Sequence, residues 1–184
     1  METIRQLDLQ LFHFVNQRFS NDVFDVICPL IRDKTFMIAC YFVFAAIMYR
    51  AFPDQFLKIV IGGAITFLLT DQISATLIKP IFHRLRPCNN SAVNARLLAD
   101  YCGSGFSFVS SHATNSFGMV AFLSIVRAKR RTSIILIIWA LLVCYSQVYV
   151  GVHYPFDVLS GGITGAVIGS TTGTITRKFM TNHT

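Results

Sequence analysis

The sequence predicts an all-α integral membrane bundle of five to six transmembrane helices. Of the 184 residues, 53% are hydrophobic and only 14% are charged, and the mean hydropathy is +0.55. Most soluble domains of this size are less apolar. Apolar runs, each close to the length that crosses roughly 30 Å of hydrocarbon, alternate with polar segments along the whole chain. They cover residues 35–49, 59–78, 112–126, 133–150 and 158–175. We therefore expect residues 1–184 to form one membrane-embedded domain.

The first 34 residues differ from the apolar runs that follow. Their apolar residues are interleaved with Asn16, Arg18, Asp22 and Asp25, a pattern typical of amphipathic helices at a membrane surface. A sixth span is the alternative. We expect no signal peptide, because no basic region precedes an unbroken apolar stretch.

Basic residues indicate how the bundle is oriented. The net charge of +7 would suggest nucleic acid for a soluble protein, but here half of the 16 basic residues flank the apolar runs on one side, so we expect no nucleic-acid partner. The positive-inside bias makes that side cytoplasmic. The polar segment 79–111 and the turn around His153 then lie outside, which predicts a multi-pass protein of the inner (cytoplasmic) membrane with a periplasmic site. The flanking residues are Arg50, Lys58, Arg127, Lys129, Arg130, Arg131, Arg177 and Lys178.

Two polar clusters on that outer side contain residues suited to binding an anion. In "KPIFHRLRP", Lys79 and Arg86 place two cations seven residues apart, although basic residues also anchor helix ends at lipid headgroups. In "FVSSHATNSFG", Ser110, Ser111 and His112 open an apolar helix. The N-terminus of a helix presents free amides to an anion. Plain N-capping would account for the serines but not for the histidine.

The third cluster, "VGVHYPFD", places His153 and Asp157 four residues apart around Pro155. Asp157 is positioned to fix the tautomer of His153 and leave its other ring nitrogen free as a nucleophile or base. Such a pair alone is structural more often than catalytic, but three clusters on one face predict phosphoryl transfer. One histidine attacks phosphorus and a second protonates the leaving oxygen. No metal or other cofactor is expected, because the sequence lacks a dense carboxylate cluster, a zinc-ligand spacing and a glycine-rich phosphate loop.

Together these residues resemble the type 2 phosphatidic acid phosphatase superfamily, whose active site is shared with vanadium haloperoxidases and bacterial acid phosphatases. The resemblance covers roughly residues 60–175. The first motif of the family is matched fully, and the second and third in part. In the second motif Val109 replaces a proline and Ser111 a glycine, and in the third Gln147 replaces an arginine. The matching residues are Lys79, Arg86, Pro87, Ser110, His112, Ser146, His153 and Asp157.

The resemblance implies a role for each matched residue. His153 would be the nucleophile that forms a phosphohistidine, Asp157 would orient it, and His112 would be the general acid. Because Gln147 has no charge, activity would be reduced or a neighbouring cation such as Arg84 would compensate. The residues that hold the phosphate would be Lys79, Arg86, Ser110, Ser111 and Gln147.

The resemblance also implies an integral membrane phosphatase that acts on a lipid phosphate or diphosphate, for example undecaprenyl diphosphate. Its partners would be this lipid substrate and the surrounding membrane lipids. A lipid phosphotransferase and a degenerate lipid-phosphate binder or transporter are the alternatives.

Two further patterns concern packing and redox state. The last apolar run contains Gly161, Gly165, Gly169 and Gly173, a spacing that lets a second helix approach closely, within the chain or in a homo-oligomer. The external segment contains Cys88 and Cys102, which we expect to form a disulfide in an oxidising compartment.

Overall fold

The computed structural model describes residues 2–126 and 129–181. Arg127, one of the residues used to orient the chain, lies outside them. The described residues form α-helices joined by short 3-10 and π-helical turns and loops, without a β-strand. This confirms the all-α prediction. The helices are α1 (Glu2–His13), α2 (Asp22–Arg32), α3 (Lys34–Ala51), α4 (Phe56–Gln72), α5 (Lys79–Phe82), α6 (Ser111–Val126), α7 (Arg130–Tyr149) and α8 (Pro155–Thr181).

The N-terminal segment forms two short amphipathic helices. Helices α1 and α2 have 12 and 11 residues, fewer than the roughly 20 that a span needs. Phe12 and Cys28 are buried against the bundle, whereas Leu7 and Val26 belong to an exposed apolar face. Neither helix meets the length that a sixth span requires.

Two described helical segments are long and apolar enough to cross a membrane. They are Arg130–Tyr149 and the segment Pro53–Phe82, in which α4 continues through a π-helical turn, Ile73–Ile78, into α5. The segment Thr35–Ala51 is apolar but shorter. Helix α6 has 16 residues, and glycine, serine and threonine interrupt the apolar residues of α8. Five to six spans therefore stay a prediction.

The glycines of α8 allow it to lie directly against α6. A Cβ atom added to Gly165 would collide with backbone atoms of Thr114 and Gly118, and one added to Gly169 would collide with the Gly118 carbonyl. Gly161 and Gly173 face the same helix. The predicted close approach is thus made within the chain.

The helices α4 to α8 bring the polar residues to one end of the bundle. This end is formed by the C-terminus of α7, the N-termini of α6 and α8, and the long loop after α5. At the other end, Lys58 donates a hydrogen bond of 3.2 Å to the carbonyl of Phe179. The cationic residues of α4 and α8 therefore lie on the side opposite the polar clusters.

Candidate active site

The structure brings the three sequence clusters together. The Nη1 atom of Arg86 lies 3.2 Å from Nε2 of His153, which joins the first cluster to the third. The amide of Ser110 donates a hydrogen bond of 3.0 Å to the carbonyl of Asp157, which joins the second to the third. His112, half-buried at the start of α6, lies within electrostatic range of His153.

His153 occupies a tight turn between α7 and α8. Its amide donates to the carbonyl of Gln147 at 3.2 Å. Gly151 adopts φ of +87° in this turn, and a Cβ atom there would lie only 2.5 Å from the carbonyl oxygen of Arg96. Both the backbone angle and the lack of space therefore require glycine. The turn holds His153 with only 2% of its side chain exposed.

The neighbours of His153 indicate which ring nitrogen holds the proton. A guanidinium only donates hydrogen bonds, so Nε2 must accept from Arg86 and the proton is assigned to Nδ1. Nδ1 lies 3.4 Å from Oδ2 of Asp157, a long contact for a hydrogen bond. Burial lowers the pKa of His153 to about 4, although Asp157 raises it and Arg86 and Lys79 lower it further. The imidazole is thus neutral at pH 7, with an unprotonated nitrogen facing a cation.

Asp157 is fully buried and has a partner on each carboxylate oxygen. Oδ2 accepts from the amide of Tyr154 at 2.9 Å, and Oδ1 accepts from Nη1 of Arg84 at 2.7 Å. The second amino group of Arg84 donates to Asp8 of α1 at 2.5 Å, and its guanidinium stacks 3.9 Å above the centre of the Tyr154 ring. Arg84, which the sequence offers as one possible substitute for the arginine missing at Gln147, is held by two carboxylates.

Arg86 and Lys79 are the two cations that the sequence predicts to bind an anion. Arg86 is 9% exposed, its Nη1 donates to the carbonyl of Val152 at 3.3 Å, and its Nε has no hydrogen-bond partner. Burial lowers the pKa of Arg86, and nearby Arg32 lowers it as well, against the opposite effect of Asp157. Lys79 is half-buried and within electrostatic range of His153. Buried cations with unused donors are suited to hold an anion.

The loop that contains Arg86 is closed by a disulfide. Cys88 and Cys102, 14 residues apart, are bonded with their Cα atoms 5.8 Å apart, which confirms the predicted pair. The adjacent Gly103 has φ of +81°, and a Cβ there would lie 3.5 Å from the guanidinium carbon of Arg86. The segment that follows the disulfide therefore lies against the guanidinium of Arg86.

The serines of the second cluster have different surroundings. Ser110 is fully buried, its amide is bonded to Asp157, and its hydroxyl accepts weakly, at 3.5 Å, from the amide of Ala113. Ser111 is half-buried, and its hydroxyl accepts from that of Ser74 at 2.9 Å. Ser110 thus acts as the N-cap of α6, whereas the side of the helix start that contains Ser111 is more open.

Gln147 is 1% exposed, and neither atom of its side-chain amide has a hydrogen-bond partner. Unpaired buried amides are uncommon and call for a physical reason. A residue that sequence reasoning missed is Arg32, the last residue of α2, which is half-buried with an unpaired Nε. Arg32 lies within electrostatic range of both Arg86 and His112.

Asp8 is a second residue that sequence reasoning missed, since it lies 76 residues from Arg84. Its position within an amphipathic N-terminal segment gives no signal of an active-site contact.

For metal binding, no three His, Cys, Asp or Glu side chains are grouped suitably anywhere in residues 2–126 and 129–181. The site is therefore a buried His–Asp pair surrounded by arginine, lysine and a second histidine.

Several known proteins resemble this chain in sequence. The sequence profile of the PAP2 superfamily matches residues 60–181. The chain is 32% identical over 176 residues to a lipid A 4'-phosphatase of Bacteroides thetaiotaomicron, an alignment that covers 92% of this chain and 76% of that protein. It is 37% identical over 112 residues to an undecaprenyl-diphosphatase of Sulfolobus acidocaldarius, covering 60% of this chain and 52% of that one.

Solved structures show the same fold. Aquifex aeolicus LpxE superposes with a TM-score of 0.67 at 23% identity, covering 94% of this chain and 95% of that one. A transmembrane PAP2-type phosphatidylglycerolphosphate phosphatase from Bacillus subtilis superposes with a TM-score of 0.73 at 20% identity, covering 97% and 88%. With the profile match over residues 60–181, this chain belongs to the PAP2 superfamily.

Proposed function

We propose that this protein is a membrane phosphatase that removes phosphate from a lipid phosphate or diphosphate through a phosphohistidine at His153. The observation that supports this most is the placement of His153: buried, neutral, with Nδ1 toward Asp157 and Nε2 toward Arg86. A nucleophile needs a free lone pair directed at an electron-poor phosphorus, so the contact between Nε2 and Arg86 would open as Arg86 turns its donor to a phosphate oxygen. Arg86 marks the place where the phosphate oxygens would bind.

In the first step Nε2 attacks phosphorus, and the bond from phosphorus to the lipid oxygen breaks. His112, whose protonated form the negative charge of the bound phosphate would stabilise, gives a proton to that oxygen, which prevents release of a lipid alkoxide. Asp157 accepts a hydrogen bond from Nδ1 and stabilises the positive charge that forms on the ring. The 3.4 Å separation of Nδ1 and Oδ2 shortens as this charge develops.

In the second step water attacks the phosphohistidine. His112, now neutral, takes a proton from the water, the P–N bond breaks, and its electron pair returns to Nε2. Inorganic phosphate leaves and both histidines recover their starting protonation. A phosphotransferase would share the first step and use a second lipid instead of water.

The phosphate would be held by Lys79, Arg86 and the free amides at the start of α6, including that of Ser111. These groups neutralise the equatorial oxygens of the transferred phosphoryl group. At the corner where Gln147 replaces the arginine of the family, we assign the missing charge to Arg32, with the Gln147 amide as a neutral donor. Because protein cations supply the charge, we propose that the reaction needs no metal ion.

The location of the site determines how a lipid would reach it. Site residues at one end of the bundle and basic residues at the other favour an inner-membrane protein with a periplasmic active site. A lipid would keep its tail in the bilayer and extend its headgroup to the site. Relatives that are named for lipid A and for undecaprenyl diphosphate favour these two headgroup classes.

The test is release of inorganic phosphate from a panel of lipids by the purified protein in detergent micelles. The panel contains a lipid A bisphosphate, undecaprenyl diphosphate, phosphatidic acid and phosphatidylglycerol phosphate, each with and without EDTA. We expect release from at least one lipid, unchanged by EDTA. Binding without release would favour the lipid-phosphate binder, and transfer of phosphate to a second lipid would favour the phosphotransferase. Loss of activity in EDTA that a divalent ion restores would contradict metal independence.

A further inference from the structure

Asp8 is a buried carboxylate on α1, an amphipathic helix whose buried side also contains Phe12. Its side chain is 1% exposed, although α1 places Ile4, Leu7 and Leu11 at the surface. Oδ2 of Asp8 accepts from Arg84, and Oδ1 accepts from the amide of Phe156 in the first turn of α8 at 2.9 Å. Burying a charge is costly unless it is paired and hydrogen-bonded. Both carboxylate oxygens of Asp8 therefore accept hydrogen bonds beside the turn that holds His153.

Arg84 connects this carboxylate to the catalytic pair. One amino group binds Asp8 and the other binds Asp157, and Asp157 in turn faces Nδ1 of His153. The planar guanidinium fixes both carboxylates in one geometry. Tyr154, beneath the guanidinium at 3.9 Å, limits its movement.

The charge of Arg84 is shared between two anions. If Asp8 were neutral, the full attraction of Arg84 would act on Asp157 and draw the carboxylate away from His153. The 3.4 Å contact between Nδ1 and Oδ2 is already long, so a small further movement would break it. The support of His153 thus depends on a balance of two carboxylates on one arginine.

We propose that Asp8 is a positioning residue for the reaction, acting through Arg84 on the His153–Asp157 pair. The expected change in kcat rests on the proposed function. It gives the N-terminal amphipathic helix a role in catalysis, because α1 contributes this carboxylate from outside the three sequence clusters. Asp8 does not touch the substrate, so its loss is expected to lower kcat and leave KM nearly unchanged.

The experiment compares Asp8→Asn with Asp22→Asn, an exposed carboxylate in the same N-terminal segment. Asparagine keeps the size of Asp8 and an oxygen for the amide of Phe156 but removes the charge. We expect kcat of Asp8→Asn to fall about ten- to hundredfold, by analogy with the loss of the outer hydrogen-bond partner of a metal-binding histidine. Asp22→Asn should match the wild type, and the Tm of each variant in detergent checks that it is folded.

Two further measurements separate positioning from a purely structural role. In an Arg84→Gln background, Asp8→Asn should change kcat less than about twofold, because residues that act through one partner are not additive. Independently of activity, 15N-histidine NMR should show the Nδ1–H tautomer of His153 in the wild type and a mixture of tautomers in Asp8→Asn.

Each outcome decides the inference. Wild-type kcat in folded Asp8→Asn, or an equal loss in both Arg84 backgrounds, would overturn it. If the wild type releases no phosphate from any lipid, the proposed function fails, and the NMR comparison alone tests the positioning role. An unchanged tautomer of His153 in Asp8→Asn would then overturn this role, and a changed tautomer would support it.

Discussion

Replacing Gly165 with alanine should separate α8 from α6 and reduce both stability and activity. A Cβ atom at this position would lie 2.9 Å from the backbone nitrogen of Gly118 and closer still to the carbonyl oxygen of Thr114. Ordinary contact begins at 3.4 Å, so the helices must move apart by at least about 0.5 Å. These are backbone atoms of a helix, which cannot rotate away as a side chain can.

The energetic cost follows from this displacement. Overpacking a close contact typically costs about 1 to 3 kcal/mol, more than the roughly 1 kcal/mol by which alanine exceeds glycine in helix propensity. The displacement also moves His112 on α6 relative to Asp157 on α8. Since a misplacement of about 1 Å can cost about a hundredfold in rate, a movement of at least half that should cost roughly tenfold or more.

Gly63 provides the matched control. It is also a helical glycine, but a Cβ there would lie 3.5 Å from Cε of Met119, an ordinary contact. In one detergent, Gly63→Ala should keep or raise the Tm and retain phosphate release, whereas Gly165→Ala should lower both. A Tm for Gly165→Ala equal to that of Gly63→Ala would refute the reasoning.

Three other predictions concern the loop and the site. The Cys88–Cys102 bond should contribute about 3 kcal/mol to the free energy of unfolding by the chain-entropy model, so a reductant should lower the Tm. Alkylation of non-reduced protein should label neither thiol, and labelling of both would reject the bond. Arg32→Gln should lower kcat/KM about ten- to hundredfold through the loss of charge-assisted hydrogen bonds, and adding Gln147→Arg should restore it, whereas full activity of Arg32→Gln would exclude Arg32 from the phosphate site. Because burial is the largest cause that lowers the pKa of His153 to about 4, its ring should stay neutral in a 15N NMR titration until the pH falls toward that value; a midpoint near 6.5, the ordinary value for histidine, would contradict this burial.

The sequence predicts those parts of the molecule that depend on local patterns. The apolar runs mark α3, α4, α6, α7 and α8 because helical spans need long apolar stretches, and the spacing of Lys79, Arg86, His153 and Asp157 predicts the site. The break before α8 follows from Pro155, at which the helix begins. These signals lie within a few residues of the feature that they predict.

Other features depend on contacts between distant residues, which a single sequence does not reveal. Asp8 and Arg84 are 76 positions apart, and Arg32 reaches the site because α2 packs Cys28 beside Val150 and Val152. The number of spans is hard to predict for a related reason. Helix α8 uses small residues to contact α6, which lowers the apolar content by which spans are recognised.

Whether His153 is the nucleophile can be tested by a rapid-quench experiment with 32P-labelled lipid substrate. We expect a transient, acid-labile and alkali-stable label on His153 that forms before phosphate is released, and loss of both label and release in folded His153→Ala. Release of phosphate at the wild-type rate by His153→Ala, with no label on the protein, would contradict it.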